Sequence, residues 1–337
     1  MPEISVVMPV YNGEEYLPGA VESILNQTYG DFEFLIVCEH GTSNKSLDII
    51  EKYREKDLRI KPIYNSERLG ISASLNVGLK AATGKYIARM DGDDISGSRR
   101  FEIQKLFLES YPEIGVCGTS HTVIRSPNWP VDYVADPEQN RSELLFFAVM
   151  RHPSIMFHRE LAEGCRYDET LAGAEDYDFY DKLSCVTKLS NVMDPTLFAY
   201  RRTGSNASRT NYARDTFIRR ETQRKVLNRQ LGLDFTDHQM DVLNLMGDVA
   251  YETLLIDQPQ KIPSEEQGIS VLTELDQLLG KIQAANDRNV YCPDCLEQTL
   301  THRWFREKYK LNRVYKKKIP NRVMKFWSGS RFYSQLF

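Results

Sequence analysis

Gly84-Lys85-Tyr86-Ile87-Ala88-Arg89-Met90-Asp91-Gly92-Asp93-Asp94 joins a short apolar run to three carboxylates packed around one glycine. The apolar part predicts a buried strand, and the aspartates follow directly at its end. Three like charges this close repel one another unless a cation neutralises them. Mg²⁺ and Mn²⁺ prefer such oxygen ligands, and α/β proteins bind ligands at the carboxyl ends of their strands. The alternative is an acidic surface turn ahead of a helix that starts near Ser98.

Three more apolar runs precede this stretch, and each is followed by a loop and a helical pattern. Strands are predicted at 4–10, 32–38 and 60–64, with helices at 14–27, 44–55 and 72–82; a helix at 99–110 and a strand at 114–117 come after the aspartates. Four successive strand–loop–helix units predict an α/β fold with a mostly parallel sheet. The loops at the carboxyl ends of the strands should meet at one edge, which brings together Pro9, Tyr11, Asn12, Glu39, Arg68 and the aspartate cluster.

The expected nucleotide-binding signatures of other α/β folds do not occur. The first strand is followed by Tyr11-Asn12-Gly13, and neither a Gly-x-Gly-x-x-Gly turn nor a Gly-Lys-Ser/Thr phosphate loop is present. Ordinary dinucleotide-binding and P-loop proteins are therefore excluded.

The pattern becomes less regular after Pro127. Residues 129–140 are polar and contain prolines, which predicts a mobile loop, and 152–157 predicts a returning strand. A helix that opens at 173–179 places Glu175 and Asp176 at a helix N-terminus. Short strands are predicted at 189–192 and 197–201. Beyond residue 211 the strand signals end, and helices are predicted at 214–231, 236–257, 265–285 and 295–311.

Composition favours a globular protein in a reducing compartment. The chain has 337 residues, 41% of them hydrophobic, and six scattered cysteines that suggest no disulfide framework. No apolar run is long enough to cross a bilayer, and the first strand begins almost at once, so we expect no signal peptide. A cytoplasmic location follows as the expectation.

The net charge of −4 hides a basic C-terminal stretch, here called the basic tail (residues 303–337). It carries eleven Lys or Arg residues against one acidic residue, Glu307, and aromatic residues are interleaved among them. This mixture suits an anionic membrane surface or a nucleic acid, and a simply solvated tail is the third possibility.

In their order and spacing, these motifs resemble the family 2 glycosyltransferases of the GT-A fold over about residues 3–208. The resemblance rests on residues 4–13, 65–70, 76–78, 84–87, Asp91-Gly92-Asp93-Asp94, His152-Pro153 and Glu175-Asp176. It implies a GT-A domain at 1–210, with a nucleotide half at about 1–118 and an acceptor half at about 119–210. Residues 211–337 would form a helical C-terminal region with the basic tail.

The resemblance also implies an activity. Similar enzymes move a sugar, with inversion, from a nucleotide-diphosphate sugar to an acceptor hydroxyl, and they use Mn²⁺ or Mg²⁺. A UDP-sugar donor and a cell-surface glycan or lipid-linked oligosaccharide acceptor are expected. For the basic tail the resemblance favours a membrane over nucleic acid, which implies a peripheral location on the inner face of the plasma membrane.

Site residues follow from the resemblance position by position. Pro9, Tyr11 and Glu14 would line the base and ribose pocket, Glu39 would bond the base, and Arg68 would lie near the base or the phosphates. Asp91 would face the ribose, Gly92 would belong to the same nucleotide-sugar site, Asp93 would bind the metal, and Asp94 would cap the following segment. Asp176 would be the catalytic base, with its neighbour Glu175 as the alternative.

Two departures from the family pattern concern the nucleotide and the metal. Family members usually carry two aspartates before the glycine after the second strand, where this chain has Glu39-His40-Gly41. Relatives often have a histidine at the position of Thr203, which can help to hold the metal or phosphates. A water, His152 or nothing would take its place here.

Several residues have simpler interpretations. Arg99 and Arg100 are expected on a helix surface, His152 as a structural hydrogen-bonding residue, and Cys292-Pro293-Asp294-Cys295 as a helix start rather than half a zinc site. Two other functions stay open at this point. One is a sugar-nucleotide nucleotidyltransferase, and the other is a non-catalytic binding protein with a degenerate site.

Overall fold

The four apolar runs form neighbouring parallel strands in the computed structural model, which describes residues 1–124, 133–171, 173–202, 212–244 and 264–315. The chain divides into two compact units, Met1–Arg219 and Arg220–Phe337. The boundary predicted at residue 210 lies outside the described residues. The strands are β1 (Ile4–Val10), β2 (Phe32–Cys38), β3 (Ile60–Tyr64), β4 (Tyr86–Arg89), β5 (Ile95–Ser96), β6 (Ile114–Thr119), β7 (Thr122–Val123), β8 (Met156–His158), β9 (Lys188–Val192) and β10 (Phe198–Tyr200).

The main sheet has seven strands in the order β3-β2-β1-β4-β8-β6-β9. All run parallel except β8, which pairs antiparallel with both β4 and β6. A small second sheet has the order β5-β10-β7. The prediction of a mostly parallel α/β sheet is therefore confirmed.

The helices of the first unit cover the main sheet. They are α1 (Leu17–Leu25), α2 (Asn44–Arg54), α3 (Ile71–Ala81), α4 (Arg100–Ser110), α5 (Pro137–Glu143), α6 (Leu161–Gly164) and α7 (Glu175–Ser184). Alternate residues of β1 face opposite sides, as the two-residue period of a strand requires. Ile4, Val6 and Met8 share one buried cluster with α1. Val7, on the other face, lies under Gly78 of α3.

Several boundaries differ from the sequence prediction. Helix α1 begins at Leu17 rather than Glu14, with Pro18 in its first turn, where the missing N–H costs nothing. The loop predicted at 129–140 is wrong from Asp136 onward, because the Asp136 side chain accepts the Gln139 N–H and starts α5. Strand β8 starts at Met156, and a 3₁₀ turn occupies His152–Ser154.

Arg100 contradicts the expectation of a helix-surface position. Its side chain is fully buried, and Nη2 donates to the carbonyl oxygens of Arg89 at 2.8 Å and Ile155 at 3.1 Å. Nε donates to Gln104. Arg100 therefore ties α4 to the end of β4 and to the segment before β8.

The second unit is helical where it is described. Its helices include α9 (Asp237–Leu243), α10 (Glu265–Ala284) and α11 (Pro293–Tyr315), and α8 (Tyr212–Leu231) runs across the division between the units. Pro293 is the first residue of α11, as the helix-start interpretation predicted. Trp304 is completely buried. Among the described helices, none combines the length and apolar character that a membrane span needs.

Gly78 tests how closely α3 packs on the sheet. A Cβ at this position would lie 2.4 Å from Val7 Cγ1 and 3.3 Å from Val37 Cγ2, and both valines are buried. We expect Gly78→Ala to lower the free energy of unfolding by about 1–3 kcal/mol, the usual cost of overpacking. Urea unfolding followed by circular dichroism measures it.

Gly164 provides the matched control, because a Cβ there would meet no atom within 4 Å. Gly164→Ala should leave the stability unchanged or slightly higher. Equal unfolding midpoints for Gly78→Ala and the unmodified chain would contradict the close packing of α3.

Candidate active site

Three aspartates gather at the carboxyl end of β4, and the first of them lies two residues after Arg89. One carboxylate oxygen from each of Asp91, Asp93 and Asp94 lies within 4.8 Å of the others, and we call this group the aspartate cluster. Asp94 is completely buried. Burial raises the pKa of Asp93 to about 6, and the Asp91 carboxylate adds to the rise. Burial and Asp91 also raise the pKa of Asp94 to about 8.

The aspartate cluster fits a hard divalent cation. Its donors are carboxylate oxygens, which Mg²⁺ and Mn²⁺ prefer. The Oδ2 atom of Asp94 is buried without a hydrogen-bond partner among the described residues, and such a carboxylate oxygen is costly unless something satisfies it. The raised pKa values have the same origin, because mutual repulsion and burial both penalise the charged forms.

Asp94 has a longer-range role than the predicted cap of the following segment. Its Oδ1 accepts the backbone N–H of Arg201 at 2.7 Å, and Arg201 Nε donates to the Asp93 carbonyl oxygen at 2.7 Å. The Arg201 guanidinium also lies 4.4 Å from the ring centroid of Tyr16. The end of β10 therefore fixes the loop that carries the cluster. Thr203, two residues further on, lies outside the described residues.

Arg89 is a site residue that the sequence analysis missed. It is only 4% exposed, and its Nη2 forms an ion pair with Asp91 Oδ1 at 2.7 Å. The other two guanidinium nitrogens, Nε and Nη1, are buried without hydrogen-bond partners in the described part of the chain. An arginine inside an otherwise apolar strand was the signal that could have identified it, because buried charges are rare unless paired.

The antiparallel direction of β8 brings residues from the second half of the unit to the same edge. Because Met156 pairs with Ala88 near the end of β4, the residues just before β8 lie beside Arg89, whose N–H donates to the Ile155 carbonyl oxygen. His152 is buried there, and its Nε2 lies 2.7 Å from the Tyr167 hydroxyl. Burial, with Arg89 and Arg151 nearby, lowers the pKa of His152 well below its ordinary value. The structural interpretation of His152 fits these contacts.

Glu175 and Asp176 are the first two residues of α7. The chain enters this helix through Ala174 at a φ of 54°, a left-handed conformation that is strained for alanine. Burial and the Asp176 carboxylate raise the pKa of Glu175 to about 7, and Asp91 adds to the rise while Arg89 opposes it. Glu175 therefore lies within electrostatic reach of the aspartate cluster. Asp176 Oδ1 accepts the N–H of Tyr177 at 2.8 Å.

Tyr11 and Arg68 form an exposed platform on the β1–β2 side of the edge. The Arg68 guanidinium lies 4.7 Å from the Tyr11 ring centroid, and the tyrosine is 48% exposed. Pro9 is partly buried near the end of β1 and pairs with Val37. Gly92 lies over Val10 and Leu17, where a Cβ would make ordinary contacts of 3.6 and 3.7 Å.

Glu14 and Asn12 connect the first two loops. Glu14 accepts hydrogen bonds from the Ser43 hydroxyl and from the Gly13 N–H. Asn12 has a φ of 60° and its Oδ1 accepts the Ser43 N–H at 2.9 Å. Both side chains therefore bond within the chain, and they fix the loop after β1 against the start of α2.

Both carboxylate oxygens of Glu39 accept hydrogen bonds from other residues of the chain. Oε1 accepts the N–H groups of His40 and Leu69, both at 2.9 Å, and Oε2 accepts the Gly70 N–H at 2.5 Å and the Ser74 hydroxyl at 3.3 Å. Burial alone would raise the pKa of Glu39, but these backbone N–H groups together lower it. Glu39 thus holds the loop that carries Arg68. A direct hydrogen bond from Glu39 to the nucleotide base stays a prediction. To form it, Glu39 would have to give up one of these hydrogen bonds.

Glu39→Gln tests this role. In Glu39→Gln an NH₂ group replaces one carboxylate oxygen that accepts N–H hydrogen bonds. The NH₂ group is itself a donor, so it would face the backbone N–H donors without an acceptor between them. We expect a loss of about 1–3 kcal/mol in the free energy of unfolding, measured by urea denaturation, and faster amide hydrogen exchange at Leu69 and Gly70. Glu67→Gln, an exposed neighbour in the same loop, is the control. Unchanged exchange at both amides would contradict the assignment.

Comparison with known proteins agrees with this geometry. A family model described as glycosyl transferase family 2 matches residues 5–163. An uncharacterized glycosyltransferase of Methanocaldococcus jannaschii is 35% identical over 206 residues, which cover 59% of this chain and 71% of the relative.

Two solved structures share the fold. One is Staphylococcus aureus TarS 1–349 in complex with UDP-GlcNAc, with a TM-score of 0.61 and 18% identity over 99% of this chain and 92% of that one. The other is the mannosyltransferase PcManGT of Pyrobaculum calidifontis in complex with GDP-Man and Mn²⁺, with a TM-score of 0.52 and 16% identity over 92% and 87% of the two chains. The sequence matches show that the chain belongs to glycosyltransferase family 2, and the solved structures show that its fold is GT-A-like.

Proposed function

We propose that this glycosyltransferase moves a sugar from a UDP-sugar to an acceptor hydroxyl, with inversion at the anomeric carbon and with Mn²⁺ or Mg²⁺ bound at the aspartate cluster. The observation that carries the proposal is one sheet edge with two acidic groups. The aspartate cluster follows β4, and Glu175 with Asp176 opens α7 within electrostatic reach of it. The fold-sharing complexes with UDP-GlcNAc and with GDP-Man and Mn²⁺ support a nucleotide-diphosphate sugar and a metal.

The donor would lie along this edge. Its base and ribose would occupy the side with Pro9, Tyr11, Glu14 and Glu39, with the Tyr11–Arg68 platform against the base or the phosphates. Asp91 and Gly92 would face the ribose. Asp93 would be the principal metal ligand. A divalent ion there would neutralise the charge that develops on the departing diphosphate.

Asp176 would be the catalytic base. During attack, the acceptor oxygen forms a bond to the anomeric carbon while the bond from that carbon to the diphosphate oxygen breaks. The bonding pair leaves with the diphosphate, and the acceptor hydroxyl proton passes to Asp176. Glu175 is the alternative candidate, and burial raises its pKa to about 7. His152 would stay neutral, which suits its contact with Tyr167.

A nucleotidyltransferase and a non-catalytic binding protein were the alternatives. The nucleotidyltransferase loses its support, because the matched family and the relative are glycosyltransferases. The non-catalytic alternative lacks a supporting observation, since both acidic groups are retained. The acceptor, a cell-surface glycan or a lipid-linked oligosaccharide, stays a prediction.

Thermal unfolding with UDP and GDP, each with and without Mn²⁺, tests the donor site. A ligand at one hundred times its dissociation constant stabilises a protein by about 2.7 kcal/mol, so we expect a rise in Tm of several degrees for UDP with Mn²⁺. Asp93→Asn should abolish the Mn²⁺-dependent part of the rise. If neither diphosphate with Mn²⁺ raises the Tm of the unmodified chain, the proposed donor site is wrong.

Asp176→Asn is the matched variant, because it also removes one carboxylate from the edge but should leave donor binding intact. We expect the same Tm rise with UDP and Mn²⁺ as in the unmodified chain, and a turnover about 10²–10⁴-fold lower, the usual contribution of a general base. Normal turnover in Asp176→Asn would exclude it as the base.

We also propose that the basic tail binds an anionic membrane surface. Its first residues belong to α11, where Trp304 and Lys308 are buried and the Lys308 ammonium lies 5.5 Å from the Trp304 ring centroid. Membrane contact would therefore involve exposed residues of α11 such as Tyr309. It would also involve residues 316–337, which lie outside the described part of the chain.

Replacing Lys316, Lys317 and Lys318 with alanine tests this contact. Each lysine near an anionic surface contributes about 1 kcal/mol, so co-sedimentation with phosphatidylglycerol vesicles should weaken by roughly a hundredfold. The control replaces three exposed lysines of the first unit, Lys52, Lys56 and Lys80. Unchanged sedimentation of the tail variant would refute the membrane proposal.

A further inference from the structure

Arg89 occupies a constrained position at the proposed site. It is the last residue of β4, where its N–H donates to the Ile155 carbonyl oxygen at 2.9 Å and its own carbonyl oxygen accepts Arg100 Nη2 at 2.8 Å. With the backbone held on both sides and the side chain 4% exposed, the guanidinium has little room to move. The positive charge of Arg89 is therefore held in a fixed place at the carboxyl end of β4.

The guanidinium of Arg89 contacts one acidic group of the site, and its backbone lies beside the segment that leads to the other. Nη2 contacts Asp91 Oδ1 at 2.7 Å. On the other side, the Arg89 N–H donates to Ile155, and His152, three residues before Ile155, has its Nδ1 3.9 Å from Glu175 Oε1. Arg89 therefore partly compensates carboxylates that would otherwise repel one another.

We propose that Arg89 is a positioning residue that holds Asp91 for the donor and reduces the attraction of the aspartate cluster for the metal ion. The ion pair takes one oxygen of Asp91 and fixes the orientation of the other. Because Asp91 is engaged in this pair, Asp93 is left as the principal metal ligand, and the positive charge beside the cluster weakens cation binding as a whole. This inference rests on the proposed function, because it assigns Arg89 a part in that reaction.

The inference predicts effects of opposite sign on the two ligands. In Arg89→Met the cluster loses a neighbouring positive charge, so Mn²⁺ should bind roughly tenfold more tightly in the absence of donor, measured by electron paramagnetic resonance of free Mn²⁺. Asp91 also loses its support, so KM for the UDP-sugar should rise about tenfold with a smaller change in kcat. A purely structural role would weaken the binding of both ligands.

Arg89→Lys separates charge from geometry. Lysine keeps the positive charge but lacks the planar fork that grips a carboxylate, so Mn²⁺ affinity should stay close to that of the unmodified chain while the donor KM stays raised. Arg99→Met is the control for charge alone. Arg99 is exposed and directly precedes α4. Its loss should leave both Mn²⁺ affinity and donor KM unchanged.

Asp91→Asn gives a second measurement in case Arg89→Met does not fold. It should raise the donor KM much more than it lowers Mn²⁺ affinity. Loss of Mn²⁺ binding in Asp91→Asn, or weaker Mn²⁺ binding in Arg89→Met, would overturn the inference while the proposed function stands. Failure of the unmodified chain to bind Mn²⁺ at all would overturn both.

Discussion

Compensation of buried charge at the end of β4 is the constraint on which the rest of the site depends. Arg89, Asp94 and Arg100 are each 4% exposed or less and lie within twelve positions of one another. Isolated buried charges are very costly, so each must be paired or hydrogen-bonded. Arg89 pairs with Asp91, Arg100 binds two main-chain carbonyl groups, and Asp94 accepts the Arg201 N–H. These contacts join β4, α4, β8 and β10 around the site.

The same contacts explain how the two halves of the first unit cooperate. The proposed nucleotide half contains the aspartate cluster, Tyr11, Arg68 and the Glu39 network. The proposed acceptor half contains His152 and the start of α7, together with the N–H of Arg201 that holds the cluster loop. Neither half contains the complete site, since the cluster loop is fixed by a residue 107 positions further along the chain.

Local pattern was enough to predict the parallel sheet and the acidic edge. Apolar runs predict β1 to β4, and parallel strands bring the loops at their carboxyl ends to one edge, so Asp93 and Tyr11 can be assigned to that edge from the sequence alone. Contacts between distant residues could not be predicted in this way. The burial of Arg100 depends on carbonyl groups from β4 and from the segment before β8, and Glu39 is satisfied by amides thirty residues away. A pattern of hydrophobicity contains no information about either partner.

The reversed strand β8 has a consequence for how this enzyme can diversify. A parallel strand would need a crossover helix to enter the sheet beside β4, whereas β8 enters directly from the acidic edge. The chain between β7 and β8 therefore begins and ends within the acceptor half, and its length is not set by any crossover of the nucleotide half. Insertions or replacements in that segment would leave the register of β1 to β4 unchanged, so the half proposed to receive the acceptor could vary while the proposed donor site stays in place.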